Sequence, residues 1–385
     1  MNWKVPFFDL SLGREEKEAV QSVIDSNWLT AGPKTEEFEK LFAQTVGGNT
    51  TAVAVSSATA ALHLSLIAMD IGPGDEVILP SLTFVACANV IRYVGATPVF
   101  TDITSIDDWN ISIADIERKI TPKTRAVMPV HYAGYSCDMS SLNKLLEGKN
   151  IHILEDCSHA PLAKHFGEPV GTFGSSGCFS FFSNKNLTTG EGGMILTRST
   201  EFANRVRMLR SHGITSSTYQ RFKGHAYGYD VAELGFNYRI DEIRSAIGIE
   251  QLKKLKLYNQ KRNKKVHKYR SMLLEKAPLV KIPFCEHKGD SSYHIFPVLI
   301  PGDDKLRNNI IRDLGNAGIQ CSVHYRPIHT FTAYENSDAK VPFTDQIGGS
   351  IISLPLFPEI SDTQISEVVD KLALALKENI DSVKH

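Results

Sequence analysis

An α/β architecture built on a largely parallel sheet is what this sequence predicts, from the order and texture of its apolar segments. Seven short and almost continuously apolar runs occur in the first two-thirds of the chain. They are Ala52–Val55, Glu76–Leu79, Thr97–Phe100, Arg125–Val130, Ile151–Leu154, Cys178–Phe181 and Gly193–Leu196. Helical patterns separate several of them, for example Ala58–Met69 and Met139–Leu146. A strand without polar alternation must be covered on both faces, and strand–helix alternation supplies that cover in a parallel sheet.

The texture changes near Ile240. Ile243, Ile247, Leu252, Leu255 and Tyr258 mark a long, mostly polar helix reaching about Lys276. A strand over Ile295–Ile300 follows, then a helix over Lys305–Ala317 and a last helix over Thr363–Lys377. The expected organisation is a large domain, 1–250, and a smaller C-terminal α/β domain, 251–385, joined by the long helix. In open parallel sheets ligands bind outside the carboxyl ends of the strands. Ser56-Ser57, Pro80-Ser81, His131 and Asp156 all fall at such ends.

With 385 residues the chain can bury a large core. Its net charge of −1 asks for no polyanionic partner, so nucleic acid is not indicated. The basic run Lys253–Arg270 reads better as the solvated face of a helix. No apolar run approaches membrane-spanning length, and Met1–Pro6 lacks the apolar core of a signal peptide. The six cysteines are scattered without a Cys-x-x-Cys pair, and the expected compartment is a reducing cytoplasm. His131, His152, His159 and His165 lack paired-ligand spacing, so no metal site is expected.

Lys185 carries the chemistry. It follows the strand-like run Phe179-Ser180-Phe181-Phe182 and precedes Thr188-Thr189-Gly190-Glu191-Gly192-Gly193, which presents one amine at a backbone-lined site. Such an amine can form a Schiff base with an aldehyde once its surroundings help it lose a proton. Upstream, the apolar run Ile151–Leu154 ends in Glu155-Asp156. An aspartate there can pair with the pyridinium nitrogen of pyridoxal phosphate (PLP). Ser56–Leu62 runs from a strand into a helix, where Ala58, Thr59 and the helix dipole suit a phosphate, although a Ser/Thr at that place is often only a cap. Phe84 has the shape to stack on a flat heteroaromatic ring, or to fill a core. His159, three residues after Asp156, can face the same ligand if the chain bends between them.

Taken in order, Thr83-Phe84-Val85-Ala86, Glu155–Ala160, Phe179-Ser180-Phe181 with Lys185-Asn186, Thr189–Gly193 and Gly235-Phe236-Asn237-Tyr238-Arg239 resemble the DegT/DnrJ/EryC1/StrS aminotransferases. These are fold-type I PLP enzymes that aminate nucleotide-linked keto-sugars. The resemblance extends from Pro6–Leu10 and Trp28–Pro33 to His324–His329. It implies that Lys185 holds the cofactor and moves the proton, that Asp156 pairs with the ring nitrogen, and that His159 lies near the phenolic oxygen. Phe84 would stack on the ring, while Ala58, Thr59 and Ser180 would hold the phosphate. Asn237 would reach the phosphate of a neighbouring subunit, making the active unit a homodimer with shared sites. Arg239, His324, Tyr325 and His329 are the substrate candidates. Ala58 stands where many relatives have glycine, which removes backbone freedom but keeps the amide donor.

The implied reaction is a two-stage transfer: glutamate leaves its amino group as pyridoxamine phosphate, and that amine passes to the sugar ketone. Amino-sugar biosynthesis, as for lipopolysaccharide, is the implied setting. A related sugar dehydratase has histidine in place of the lysine, so Lys185 argues against it. A PLP-binding regulator without turnover is a second alternative. A non-PLP nucleotide-binding protein lacks its expected Gly-x-Gly-x-x-Gly fingerprint here. The segment Ser216–Tyr229, rich in Gly, Tyr and Ser, is expected to be a mobile substrate loop.

Overall fold

The computed structural model describes residues 3–215 and 228–383. Of the expected substrate loop, residues 216–227 therefore lie outside the described residues. Nine strands of the first two-thirds are β1 (Thr51–Val55), β2 (Glu76–Pro80), β3 (Thr97–Thr101), β4 (Thr124–Val127), β5 (His152–Asp156), β6 (Lys164–His165), β7 (Glu168–Pro169), β8 (Ser176–Ser180) and β9 (Gly193–Thr197). Seven of them form one sheet in the order β1-β9-β8-β5-β4-β2-β3. Six run in one direction; β9 is antiparallel to both of its neighbours. The seven apolar runs thus correspond one for one to the seven strands. The expected strand Arg125–Val130 stops at Val127. Pro129 has no amide to donate, and the chain beyond keeps only a bridge from Val130 to Asp156.

Both faces of the sheet are covered. On one side the helix Ala58–Ala68 buries eight of its eleven residues, which is why its sequence is apolar all round. It packs with Val53, Val55, Leu79, Leu154 and Ile195. On the other, Phe38 and Phe42 meet Phe179 and Phe181 edge-on or tilted, at ring centroid distances of 5.0–5.6 Å. Such aromatic clusters add about 0.5–1.5 kcal/mol per pair to the burial of their area.

A 35-residue helix, Glu242–Lys276, follows. Asp241 caps its start by accepting the Arg244 N–H at 2.9 Å. Glu242 in its first turn is buried and accepts from the backbone N–H groups of Gly32, Lys34 and Thr35 at 2.8–2.9 Å. Its first half packs Ile249, Leu252 and Leu255 against the sheet's aromatic cluster. Its second half contributes Val266, Tyr269 and Leu273 to a separate cluster with Phe296, Val298, Ile352 and Leu354. The last two belong to β11 (Ile351–Leu354), which pairs antiparallel with β10 (Phe296–Leu299). Helices Asp304–Asn316 and Asp362–Val383 complete that cluster. Residue 250 lies inside the long helix, which therefore serves both cores without a break. Among the described residues no helix is long and apolar enough to cross a membrane.

Candidate active site

The carboxyl ends of β1, β2, β5 and β8 lie along one edge of the sheet, and a cavity of about 350 Å³ opens there. Ala58, Thr59, Phe84, Asp156, His159, Ser180, Lys185, His324 and Tyr325 all line it. Nine of the twelve residues singled out above are thus brought to one place. Asn237, Arg239 and His329 are not among the lining residues.

One end of the cavity is made by the helix that begins at Ala58. Ser57 Oγ accepts the Ala60 N–H at 3.1 Å, and the Ser57 carbonyl accepts from Ala61. The amides of Ala58 and Thr59 remain at the mouth of the helix, where the dipole is positive. Gly193 of β9 is paired with Val55 on one side and Ser180 on the other, which brings Ser180 beside the helix start. A Cβ on Gly193 would stand 2.5 Å from the Ser57 carbonyl and 2.7 Å from the Ala58 nitrogen. Only glycine lets β9 pass that close, so the cradle depends on it. The Ala58 and Thr59 amides, the Thr59 and Ser180 hydroxyls and the helix dipole are groups of the kind that suit a phosphate.

At the other end, strand alternation separates the two carboxylates that close β5. Glu155 points away from the cavity, accepting from Gly171, Phe173 and Gly174 N–H at 2.7–2.9 Å and from His131 Nε2 at 3.1 Å. The Cys137 N–H donates to His131 Nδ1, which places the proton on Nε2. His131, Glu155 and Cys157 approach one another within 4.8 Å, but the glutamate is consumed by these donors. Glu155→Ala is expected to destabilise the protein by about 1–3 kcal/mol for each stranded donor. Denaturant unfolding of the cofactor-free protein checks it; an unchanged midpoint would show the donors are met otherwise.

Asp156 faces the cavity and is only 5% exposed. Its Oδ1 accepts the Ser158 N–H at 2.9 Å and its Oδ2 the Cys87 thiol at 3.0 Å. Burial, with Asp156 alongside, pushes the Cys87 thiol well above its ordinary pKa, so it stays a donor. His159 receives the Ala133 N–H on Nδ1 at 3.2 Å, so its proton sits on Nε2 and is donated to Tyr325 Oη at 2.8 Å. Burial, reinforced by the Lys185 charge, keeps this imidazole neutral. Phe84 is 55% exposed at the cavity wall, its ring 5.9 Å from that of Tyr325. A phenylalanine left bare beside a cavity is a stacking surface rather than a core residue.

Lys185 lines the same cavity, close enough to Asp156, Cys87 and His159 for their charges to act on one another. Burial pushes its amine down to about 8, with Asp156 pulling the other way. Nζ stands 3.4 Å from Nε2 of His294, a residue that sequence reasoning missed. Cys87 was missed as well; no local pattern marks either, because both reach the site from distant segments. His329 is elsewhere: it pairs with Asp345 at 2.9 Å and its Nδ1 with Ser81 Oγ at 2.7 Å. That fastens the segment carrying His324 and Tyr325 to the sheet. Asn237 is exposed and forms a bridge with Ser211.

A buried lysine of lowered pKa, a buried aspartate, a bare aromatic face and a phosphate cradle in one α/β cavity fit PLP in size and in chemistry. The fold and site define a fold-type I PLP-dependent aminotransferase. The chain belongs to the DegT/DnrJ/EryC1/StrS aminotransferase family, whose model matches residues 10–373. It is 35% identical to the Bacillus subtilis spore coat polysaccharide biosynthesis protein SpsC over 379 residues, 96% of each chain. Spr1654 of Streptococcus pneumoniae superposes with a TM-score of 0.92 at 29% identity, covering 100% of both chains, and has been solved in apo, PMP and PLP forms. Helicobacter pylori PseC, an aminotransferase involved in the biosynthesis of pseudoaminic acid, superposes at 0.90 with 29% identity over 97% of this chain and 99% of its own.

Proposed function

We propose that this sugar aminotransferase transfers the amino group of glutamate to the ketone of a nucleotide-linked sugar, in amino-sugar biosynthesis for a cell-surface glycan. The observation that carries it is that Lys185 and Asp156, near enough for their charges to interact, line one cavity together with the helix start at Ala58 and Thr59. The relation to a polysaccharide biosynthesis protein supports the setting.

When bound, PLP supplies an aldehyde that accepts an amine and a ring that takes up the electrons of a broken C–H bond. The amides of Ala58 and Thr59 and the hydroxyl of Ser180 would hold its phosphate. Asp156 would keep a proton on the ring nitrogen, because its buried carboxylate favours a cationic partner. Phe84 would cover the ring, and Tyr325, accepting from His159, would keep its hydroxyl proton free to donate. The Lys185 amine, its pKa lowered to about 8 by burial and so partly unprotonated near that pH, can hold the cofactor and can also take and return the substrate proton at Nζ. Of the substrate candidates, His324 and Tyr325 line the cavity and would meet the sugar or glutamate there.

Incubation of the purified protein with glutamate and a panel of nucleotide 3- and 4-keto-sugars, read by mass spectrometry, tests this reading. An aminated sugar nucleotide with 2-oxoglutarate is the expected result. A visible PLP band with no product and no glutamate half-reaction would instead favour a sensor.

The active unit in this reading is a homodimer. Asn237 is exposed in its own subunit, beside Tyr229, Val231 and the 86% exposed Leu234. An apolar set of that kind calls for cover. Asn237 would then donate its amide to the cofactor phosphate of the partner. Mixing two inactive variants, Lys185→Ala and Asn237→Asp, is expected to restore about half of the wild-type activity per heterodimer. Both lesions then fall in one site and leave the other intact. No recovery in a mixed dimer confirmed by mass removes the shared site.

A further inference from the structure

Lys185 is not alone at its end of the cavity. Its Nζ lies 3.4 Å from Nε2 of His294, which is buried. The state of that imidazole is set from behind. Asn186 donates its amide N–H groups to the Ser292 carbonyl at 2.7 Å and to Asn259 Oδ1 at 2.8 Å. Both contacts require donors, so the amide is oriented with its oxygen toward His294. That oxygen stands 3.1 Å from His294 Nδ1, which must therefore carry the ring proton. Nε2 is left with a lone pair, aimed at the lysine.

The surroundings hold the ring neutral. Burial, then the Lys185 charge and the neighbouring His159, Arg262 and His324, push its pKa well below the ordinary value. Arg262 reaches it from the long helix, donating to the His294 carbonyl at 3.4 Å and to the Leu356 carbonyl at 3.0 Å. The ring of His159 lies 4.5 Å from it, centroid to centroid. No carboxylate bonds to the imidazole among the described residues. His294 thus faces cations and neutral groups only, and toward Lys185 its Nε2 can only accept.

We propose that His294 is the positioning residue for Lys185: a neutral imidazole, fixed as its Nδ1–H tautomer by Asn186, that accepts a hydrogen bond from the free lysine amine. The amine must be free whenever the cofactor carries the transferred amino group. At that stage a flexible four-carbon side chain would otherwise wander, and the proton it moves would be delivered from varying places. A lone pair at a fixed point gives the ammonium one resting place beside the reacting atoms. This inference rests on reading Lys185 as the cofactor-bearing lysine.

The effect is legible without turnover. Accepting from the ammonium stabilises the charged form, so losing His294 lowers the lysine pKa. In cofactor-free, full-length protein, the pH dependence of Lys185 acylation by acetic anhydride, read by peptide mapping, gives that pKa. His294→Phe is expected to move the midpoint down by about one pH unit, consistent with loss of one hydrogen bond to a charged group. His294→Gln, whose amide oxygen can accept in the same place, should restore most of the shift. A merely structural residue would leave the midpoint where it is. An unchanged midpoint in folded His294→Phe overturns the proposal. Should that variant not fold, nitrogen-15 shifts of the wild-type histidines, assigned with His294→Gln, decide: a proton on Nε2 at pH 8 overturns it as well. Borohydride reduction of wild-type holoprotein runs alongside, so that failure to label Lys185, which would sink the parent reading, is told apart from failure of His294.

Discussion

Lys185→Ala is expected to abolish transamination while leaving the cavity able to bind pyridoxamine phosphate. The loss should be at least about 10⁴-fold, since a proton-transfer group alone is worth about 10²–10⁴-fold and the covalent anchor goes with it. Binding should survive because the phosphate cradle, Asp156 and Phe84 belong to other segments. The cradle is backbone at Ala58 and Thr59, with Ser180 brought alongside through Gly193. Borohydride treatment of the wild type followed by peptide mapping should place a pyridoxyl group on Lys185. A label on another lysine would remove Lys185 from its role. So would a Lys185→Ala variant that turned over at a wild-type rate.

Asp156→Asn is expected to retain cofactor and slow the glutamate half-reaction by about 10–10³-fold. An opposite charge at contact distance shifts a pKa by about one to three units, and each unit is tenfold. The amide can replace the contacts to Ser158 and Cys87 in part, but it cannot hold a proton on the ring nitrogen. Stopped-flow absorbance with glutamate gives the half-reaction directly. Near-normal rates in this variant would take the aspartate out of the mechanism. His159→Ala should cost less, because His159 acts by orienting the Tyr325 hydroxyl at 2.8 Å, and water can partly replace an orienting contact.

The two effects differ in what they disturb. The lysine substitution removes a reacting atom; the aspartate substitution leaves every atom near its place and changes one charge. Burial amplifies both, since a charge change inside a cavity of this kind is little screened.

Much of the site was legible in the sequence because its residues sit at strand ends. Asp156 and the Ser57–Thr59 segment each follow an apolar run and Ser180 closes its strand, and the parallel direction of six strands puts those ends on one edge. Strand alternation also explains what the sequence could not divide. Glu155 and Asp156 are neighbours of the same chemical type, yet one is spent on three backbone amides and the other faces the cavity. Pro129 ended a strand two residues after Val127, in a run that composition alone would continue. His329 matched a motif, but its partners are Ser81 and Asp345, so it braces the segment that delivers Tyr325.

By itself the sequence determined the class of architecture, the seven strands, and which lysine, aspartate and strand-to-helix turn meet at one cavity. These depend on local pattern: apolar runs, caps and glycines that a chain carries wherever it folds. Only the tertiary structure decided that Cys87 donates to Asp156 and that His294 stands beside Lys185. Those partners lie 69 and 109 residues apart in the chain. Packing brings them together, and burial then sets their protonation. A pKa or a tautomer belongs to a surrounding, and a surrounding is made of residues that the order of the chain does not place side by side.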